Sequence, residues 1–277
     1  MRESVARLAM HPLIFDFGSF DLGPLEIPLR LPSYGTAMLL GVVLGWLIVR
    51  RLGRRVAPEA PWADLYAGLI LSGIVGAKLL WALLELPRLL SGATDWRSIV
   101  FAGGVWLGAV LGGLVFCWFF FRRHDLAAGR ALNVVFTALP LAHVVGRVGC
   151  LLAGCCHGAA CAMPWAITYT SELAARFAGT PLGVPLHPSP IYEALAELVN
   201  FGICASLWRR AEPAPWLVVF TWAGLYGAER FVLEFFRGDV RGGLAGLSTS
   251  QWLSAVMVLA AAGWALRRLR PDAASRA

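Results

Sequence analysis

His143-Val-Val-Gly-Arg-Val-Gly-Cys-Leu-Leu-Ala-Gly-Cys-Cys-His157 closes the apolar run 131–152 and carries an arginine into it. An arginine at the centre of a bilayer costs about 2.5–3.5 kcal/mol on insertion scales, so within such a run it faces a cavity or a partner. Around Arg147 stand glycines, two histidines and a group of thiols. What sits against the guanidinium is therefore the first question this chain poses.

The rest of the sequence sets that run in a membrane. Of 277 residues, 58% are hydrophobic and 15% charged, where an average soluble domain carries roughly 25% charged residues. The mean hydropathy is +0.66. These values exclude an ordinary soluble enzyme and predict an all-α, polytopic membrane protein. The net charge of +7 does not point to nucleic acid. Its arginines cluster at the ends of apolar runs, as the positive-inside rule describes. Lys78 is the single lysine. Residues 1–20 carry Glu3, His11 and Asp16 without a continuous apolar core, so no signal peptide is expected.

About seven apolar segments can be drawn, at roughly 34–49, 65–84, 99–121, 131–152, 190–208, 214–235 and 251–266. Spans of about 17–25 residues cross a bilayer, which puts the first and last near the short limit. Arginine clusters follow alternate connections: Arg50, Arg51, Arg54 and Arg55; Arg122, Arg123 and Arg130; Arg209 and Arg210; Arg267, Arg268 and Arg270. With seven spans all four clusters share one side. The positive-inside rule makes that side cytoplasmic, with the N-terminus outside and the C-terminus inside. A single domain, 1–277, is predicted. Its longest outer connection, about 153–189, contains Pro164, Pro181, Pro185 and Pro188 and reads as irregular or partly re-entrant. The glycines Gly103, Gly104, Gly108, Gly112 and Gly113 read as places where helix backbones approach closely.

Polar residues inside spans are functional candidates, and four groups stand out. His143 and Arg147 are spaced i, i+4 on one helix face. Arginine offers a planar fork suited to phosphate, and neutral histidine can accept a proton near pH 7. His187-Pro-Ser-Pro-Ile-Tyr-Glu193 opens the fifth segment. There Ser189 is expected to cap a helix beginning at Pro190, with Tyr192 and Glu193 in its first turn. Glu229-Arg-Phe-Val-Leu-Glu-Phe-Phe-Arg-Gly-Asp239 pairs Arg230 with Glu234 at i, i+4, and Arg237, Asp239 and Arg241 continue toward the outer mouth. Cys150, Cys155, Cys156, His157 and Cys161 suit either zinc, which prefers four Cys or His ligands, or one or two disulfides in an oxidising compartment. Cys117 and Cys204 read as packing residues. Lys78 is a buried cation that can pair with Glu85 or with a bound anion. Ser33-Tyr34-Gly35 starts the first segment.

Taken together, Tyr34-Gly35, Gly-Arg-Val-Gly in the fourth segment, His-Pro-Ser-Pro-Ile-Tyr-Glu before the fifth and Glu-Arg-Phe-Val-Leu-Glu-Phe-Phe-Arg in the sixth resemble the prolipoprotein diacylglyceryl transferase family. The resemblance runs from about Tyr34 to Gln251 and is carried by the order of the motifs. It implies transfer of a diacylglyceryl group from phosphatidylglycerol to the lipobox cysteine of a prolipoprotein. The product is a thioether, glycerol phosphate leaves, and no cofactor takes part. It implies a bacterial inner membrane, with the site toward the periplasm. On this resemblance Arg147 holds the lipid phosphate, Arg230 is a second arginine oriented by Glu234, and His187, Ser189, Tyr192, Glu193 and Lys78 bind substrate. Tyr34 and His143 join the catalytic set.

This chain also departs from the family pattern. The family's His or Tyr near the third-segment glycines falls here at Gly108, which has no side chain to act as a base. The family's Asn-Phe-x-Asn-Gly-Glu continuation is replaced by Cys150-Leu-Leu-Ala-Gly-Cys155, and its second-segment arginine by Lys78. His143 or His157 is then the expected substitute base. The alternatives are a lipid-group transferase with another acceptor, or a thiol- or metal-binding membrane protein on the same scaffold.

Overall fold

The structure, a computed structural model, describes residues 11–21, 26–95, 104–209, 211–238 and 243–269. Glu3, residues 99–103 of the third apolar segment with Gly103, Arg210, Asp239, Arg241 and Arg270 lie outside them. In chain order the helices are α1 (Ser33–Val56), α2 (Trp62–Leu90), α3 (Trp106–Arg123), α4 (Ala128–Ala153), α5 (Glu172–Ala178), α6 (Ser189–Ser206), α7 (Leu217–Leu233) and α8 (Thr249–Leu269). Three two-stranded sheets join them: β1 (Leu13–Asp21) with β2 (Glu26–Pro32), β3 (Ile167–Thr168) with β4 (Pro185–Leu186), and β5 (Gly243–Leu244) with β6 (Leu247–Ser248).

Among the described residues, five helices, α1, α2, α3, α4 and α8, are long and apolar enough to cross a membrane. The first and last segments, short by composition, form helices of 24 and 21 residues. Arg54 and Arg55 sit in the last turn of α1, and Arg267 and Arg268 in that of α8. Arginine is a good helix former, so a basic end extends a helix beyond its apolar run. The fifth and sixth segments form α6 and α7, of 18 and 17 residues. Both stand at the lower edge of spanning length.

The chain divides into two compact units, residues 49–135 and residues 1–48 with 136–277. In the first, α2 and α3 pack backbone to backbone. A Cβ at Gly108 would meet the carbonyl oxygen of Gly76, and one at Gly112 would meet that of Ser72. Small residues at such crossings allow the close approach that drives helix association in lipid. This gives Gly108 a structural reason to lack a side chain: anything larger would push the two backbones apart.

In the second unit, a hairpin leads into α1. β1 and β2 run antiparallel, with Asp16 opposite Arg30 and an ion pair of 3.1 Å between them. Phe15-Asp16-Phe17 carries the alternation of a strand. The Ser33 hydroxyl donates to the His11 carbonyl, and the Ser33 N–H donates to Pro12 at 3.0 Å. These bonds tie the hairpin to the first residue of α1.

The motif glycines of α4 face α1. A Cβ at Gly149 would lie 2.7 Å from Ala37 Cβ and 3.4 Å from Tyr34 Cα, and one at Gly146 would lie 3.4 Å from Met38 Sδ. Gly41 answers from α1, where a Cβ would lie 2.9 Å from the Ala142 carbonyl oxygen. The Gly-Arg-Val-Gly spacing thus seats one helix against another and fixes the direction of Arg147 between the two glycines.

Candidate functional site: an arginine cluster on a buried glutamate

The connection from α4 to α6 folds back as three adjoining backbone segments. The Gly158 N–H donates to His187 at 3.0 Å, the His187 N–H to Ala159 at 2.9 Å, and the Ala159 N–H to Phe236 at 2.9 Å. Gly158 allows this closeness, because a Cβ there would lie 2.5 Å from both His187 Cβ and Ser189 Oγ. Beneath it, Ile167, Tyr169 and Leu186 form a small buried core against Leu151. Burial raises the Tyr169 phenol above its ordinary pKa. The segments that follow α4, precede α6 and follow α7 thereby meet at one end of their helices.

Helix α6 supplies the centre. Ser189, Glu193, Glu197, Asn200 and Cys204 are all buried on it, at the three- and four-residue spacing of one face. Buried charges require paired, hydrogen-bonded partners, and the neighbouring elements supply them. Glu193 is 0% exposed and meets three guanidiniums. Arg147 Nη2 lies 2.7 Å from its Oε2, an ion pair by distance that is not aligned as a hydrogen bond. Arg230 Nη1 at 3.3 Å and Arg237 Nη1 at 3.2 Å donate to its Oε1.

Each arginine has further partners. Arg230 Nη2 donates to Glu234 at 2.7 Å and to Ser250 Oγ at 2.9 Å. Arg237 Nη1 also donates to the Cys156 carbonyl at 3.2 Å. Arg147 Nε donates to His143 Nε2 at 3.0 Å, and His143 Nδ1 contacts Glu197 Oε1 at 2.7 Å. Because Nε2 accepts from Arg147, the ring proton sits on Nδ1 and is donated to the Glu197 carboxylate. Both ring nitrogens are engaged, so His143 holds Arg147 in place and has no free lone pair in this arrangement. Glu197 and Glu193 are 0% exposed, while the Arg147 side chain retains 17% exposure, leaving it the most accessible of the three arginines that meet Glu193.

The other expected residues lie around this centre. Tyr34 occupies the first turn of α1 beside Gly149. Tyr192 OH accepts from Trp165 Nε1 at 2.7 Å and lies 3.2 Å from His187 Nδ1. Both rings pack edge-on against Phe236. Ser189 is the first residue of α6, with Pro188 in the cap position and no side-chain capping bond. The expected serine cap is therefore absent, and its buried hydroxyl has no partner among the described residues. Glu193 stands one turn further in than a helix-dipole role requires, and three arginines meet its charge. Lys78 sits on α2, in the other unit. Glu85 pairs with Arg88 at 3.5 Å.

Sequence reading alone did not single out Glu197, Asn200, Glu229 or Ser250. Asn200 Nδ2 donates to Glu229 at 2.9 Å. Glu193, Glu197 and Asn200 recur on one face of an otherwise apolar helix, and that pattern was the available signal.

Three thiols stand beside the arginines. The Sγ atoms of Cys150, Cys155 and Cys156 all lie within 4.8 Å of one another, and all six cysteines are free. His157 and Cys161 stand outside this group: His157 Nδ1 contacts the Gly158 carbonyl at 3.1 Å, and the Cys161 N–H donates to Pro185. Gly154 and Cys156, with φ of 74° and 58°, turn the chain back so that Cys155 and Cys156 face Cys150. Hydrogen bonds from the Cys150 and Cys155 thiols hold Cys156 far below the usual thiol range, and the charges of Arg147 and Arg237 add to this. For Cys155, the bond from Cys150 lowers the value. The bond to Cys156, burial and that neighbour's charge outweigh it and push the thiol up to about 11.

Comparison with known proteins matches this arrangement to a family. A family model described as prolipoprotein diacylglyceryl transferase matches residues 20–267. A phosphatidylglycerol–prolipoprotein diacylglyceryl transferase of Clostridium tetani is 29% identical over 255 residues, covering 90% of this chain and 94% of the relative. Proteins of the same name from Rhizobium meliloti and Paenarthrobacter aurescens are each 30% identical, covering 99% and 97% of this chain and 100% and 89% of their own lengths. On the breadth of these matches, the chain belongs to the prolipoprotein diacylglyceryl transferase family.

Proposed function

We propose that this chain transfers the diacylglyceryl group of phosphatidylglycerol to the cysteine thiol of a prolipoprotein. The observation that carries the reading is the convergence of Arg147, Arg230 and Arg237 on Glu193, in a chain whose relatives are named for that reaction along their length. The substrate supplies its own nucleophile, so the enzyme needs cations for the phosphate and a means of removing the thiol proton. The acceptor sulfur attacks the glyceryl carbon, the carbon–oxygen bond to phosphate breaks, and the bonding pair leaves with glycerol phosphate.

Donors preorganised where charge develops lower such a barrier, and they gain strength where water is excluded. Arg147 is the arginine that turns to the lipid phosphate, because its bond to Glu193 is the unaligned one and its side chain is the accessible one. Arg230 and Arg237, fixed through Glu193, Glu234 and Ser250, contribute field rather than movement. His143 is a positioning residue for Arg147. Tyr34, His187, Ser189 and Tyr192 border the arginines and shape the entry of the lipid headgroup. In the first unit, Lys78 on α2 adds a cation that attracts anionic lipid. Seven spans with an outer N-terminus and a cytoplasmic C-terminus place this end of the helices toward the periplasm of a bacterial inner membrane. The arginine ends of α1, α3 and α8 support that orientation.

Complementation tests the reading. Expressed in cells depleted of their own transferase, this chain should restore lipoprotein modification and growth. Correct insertion without any modified lipoprotein would count against it.

A further inference from the structure

We propose that Cys150, Cys155 and Cys156 form a three-thiolate zinc site whose open fourth position binds the acceptor cysteine of the protein substrate. The inference rests on the transferase reading and deepens it.

Zinc sites that perform chemistry hold three protein ligands and leave a fourth position to water or substrate. Zinc–thiolate bonds of about 2.3 Å in a tetrahedron put ligand sulfurs roughly 3.8 Å apart. The three sulfurs here already lie within 4.8 Å of one another, so closing on an ion needs shifts of about 1 Å at most. The set is built in the fold rather than gathered from a flexible surface. Cys150 is buried in the last turn of α4. The two left-handed residues, Gly154 and Cys156, return the other two thiols to it, and the Thr180 hydroxyl and Arg237 guanidinium hold the turn by its carbonyls. Among the described residues no fourth His, Cys, Asp or Glu joins the group.

Position relates the cluster to the reaction. Cys150 lies three residues after Arg147, on the same helix face. Arg237 bonds both the Cys156 carbonyl and Glu193, so one side chain links the thiol turn to the arginine cluster. A thiol that enters the fourth position is deprotonated outright by the metal, and its proton passes to solvent water. The zinc-held thiolate then attacks the glyceryl carbon while Arg147 holds the departing phosphate. No electron changes hands. The arrangement meets a need that the arginine cluster leaves open, since both nitrogens of His143 are engaged.

Cobalt(II) titration of the purified full chain, in detergent with its thiols reduced, tests this without relying on turnover. About one cobalt per chain should bind, with the near-ultraviolet sulfur-to-cobalt charge-transfer band of a thiolate site. A lipobox peptide containing cysteine should then shift the visible cobalt bands, and the same peptide with serine should not. Cys156→Ser and Cys155→Ser should each weaken cobalt binding by more than the roughly 10–100-fold that outer-shell changes cost. Cys117→Ser, on α3, should leave the spectrum unchanged. Absence of the charge-transfer band in reduced, folded protein overturns the proposal, as does a band that ignores the cysteine peptide. Full transfer by chelator-stripped protein overturns it too, while the transferase reading stands. Peptide-responsive cobalt in a chain that transfers nothing keeps the site and removes the transferase reading.

Discussion

Glu193→Ala should destabilise the protein more than any other single substitution at the site. It removes the one carboxylate that Arg147, Arg230 and Arg237 share, and it does so where Glu193 is fully buried. Removing one partner of a buried pair costs about 3–5 kcal/mol, because the remaining charge stays desolvated and unpaired. Here two of the three guanidiniums would still have anchors. Arg230 keeps Glu234 and Ser250, and Arg237 keeps the Cys156 carbonyl. Arg147 would keep only the neutral His143 ring. Thermal unfolding in detergent should show a large loss of stability for Glu193→Ala, a smaller one for Glu193→Gln, and partial recovery when Arg237→Gln is added to the latter. Equal stability of wild type and Glu193→Ala would mean that the three arginines are not held by this carboxylate.

The second large effect is on chemistry. Arg147→Lys should leave the fold close to wild type and lower kcat/KM for diacylglyceryl transfer by about 100–1,000-fold, the scale on which loss of one preorganised donor acts. A lysine keeps the charge but not the planar fork that grips a phosphate through two donors. It also has no counterpart to Nε, which donates to His143. Transfer kinetics on mixed vesicles, read beside the unfolding curve, separate the two contributions. A variant that folds normally and keeps wild-type kinetics would remove Arg147 from phosphate binding.

The reach of the sequence can be judged residue by residue. The five long apolar helices were legible because period, length and composition agree there. Arg230 with Glu234 and Arg147 with His143 were legible because i, i+4 contacts are local. The shared role of Glu193 was not, since its partners come from α4, α7 and the turn after α7, brought together by tertiary folding alone. The glutamate first looked like a helix-end residue, and its burial changed that meaning. The β1–β2 hairpin was not anticipated, because its only local signal is the short alternation Phe15-Asp16-Phe17. Spacing could pair Cys150 with Cys155 in several ways. Only the left-handed turn at Gly154 and Cys156 shows that three sulfurs meet while Cys161 and His157 stand aside. Gly108 was read as the family's base position without a base, and the Gly76 carbonyl against it gives a packing reason for a glycine there.

The most direct test of the central claim is reconstituted transfer. Purified chain, vesicles of phosphatidylglycerol with a labelled headgroup, and a peptide bearing a lipobox cysteine should together release labelled glycerol phosphate. The peptide should gain one diacylglyceryl group on sulfur, and the cysteine-to-serine peptide should gain none. Folded protein that releases no glycerol phosphate, or that acylates the peptide elsewhere than sulfur, would contradict the account.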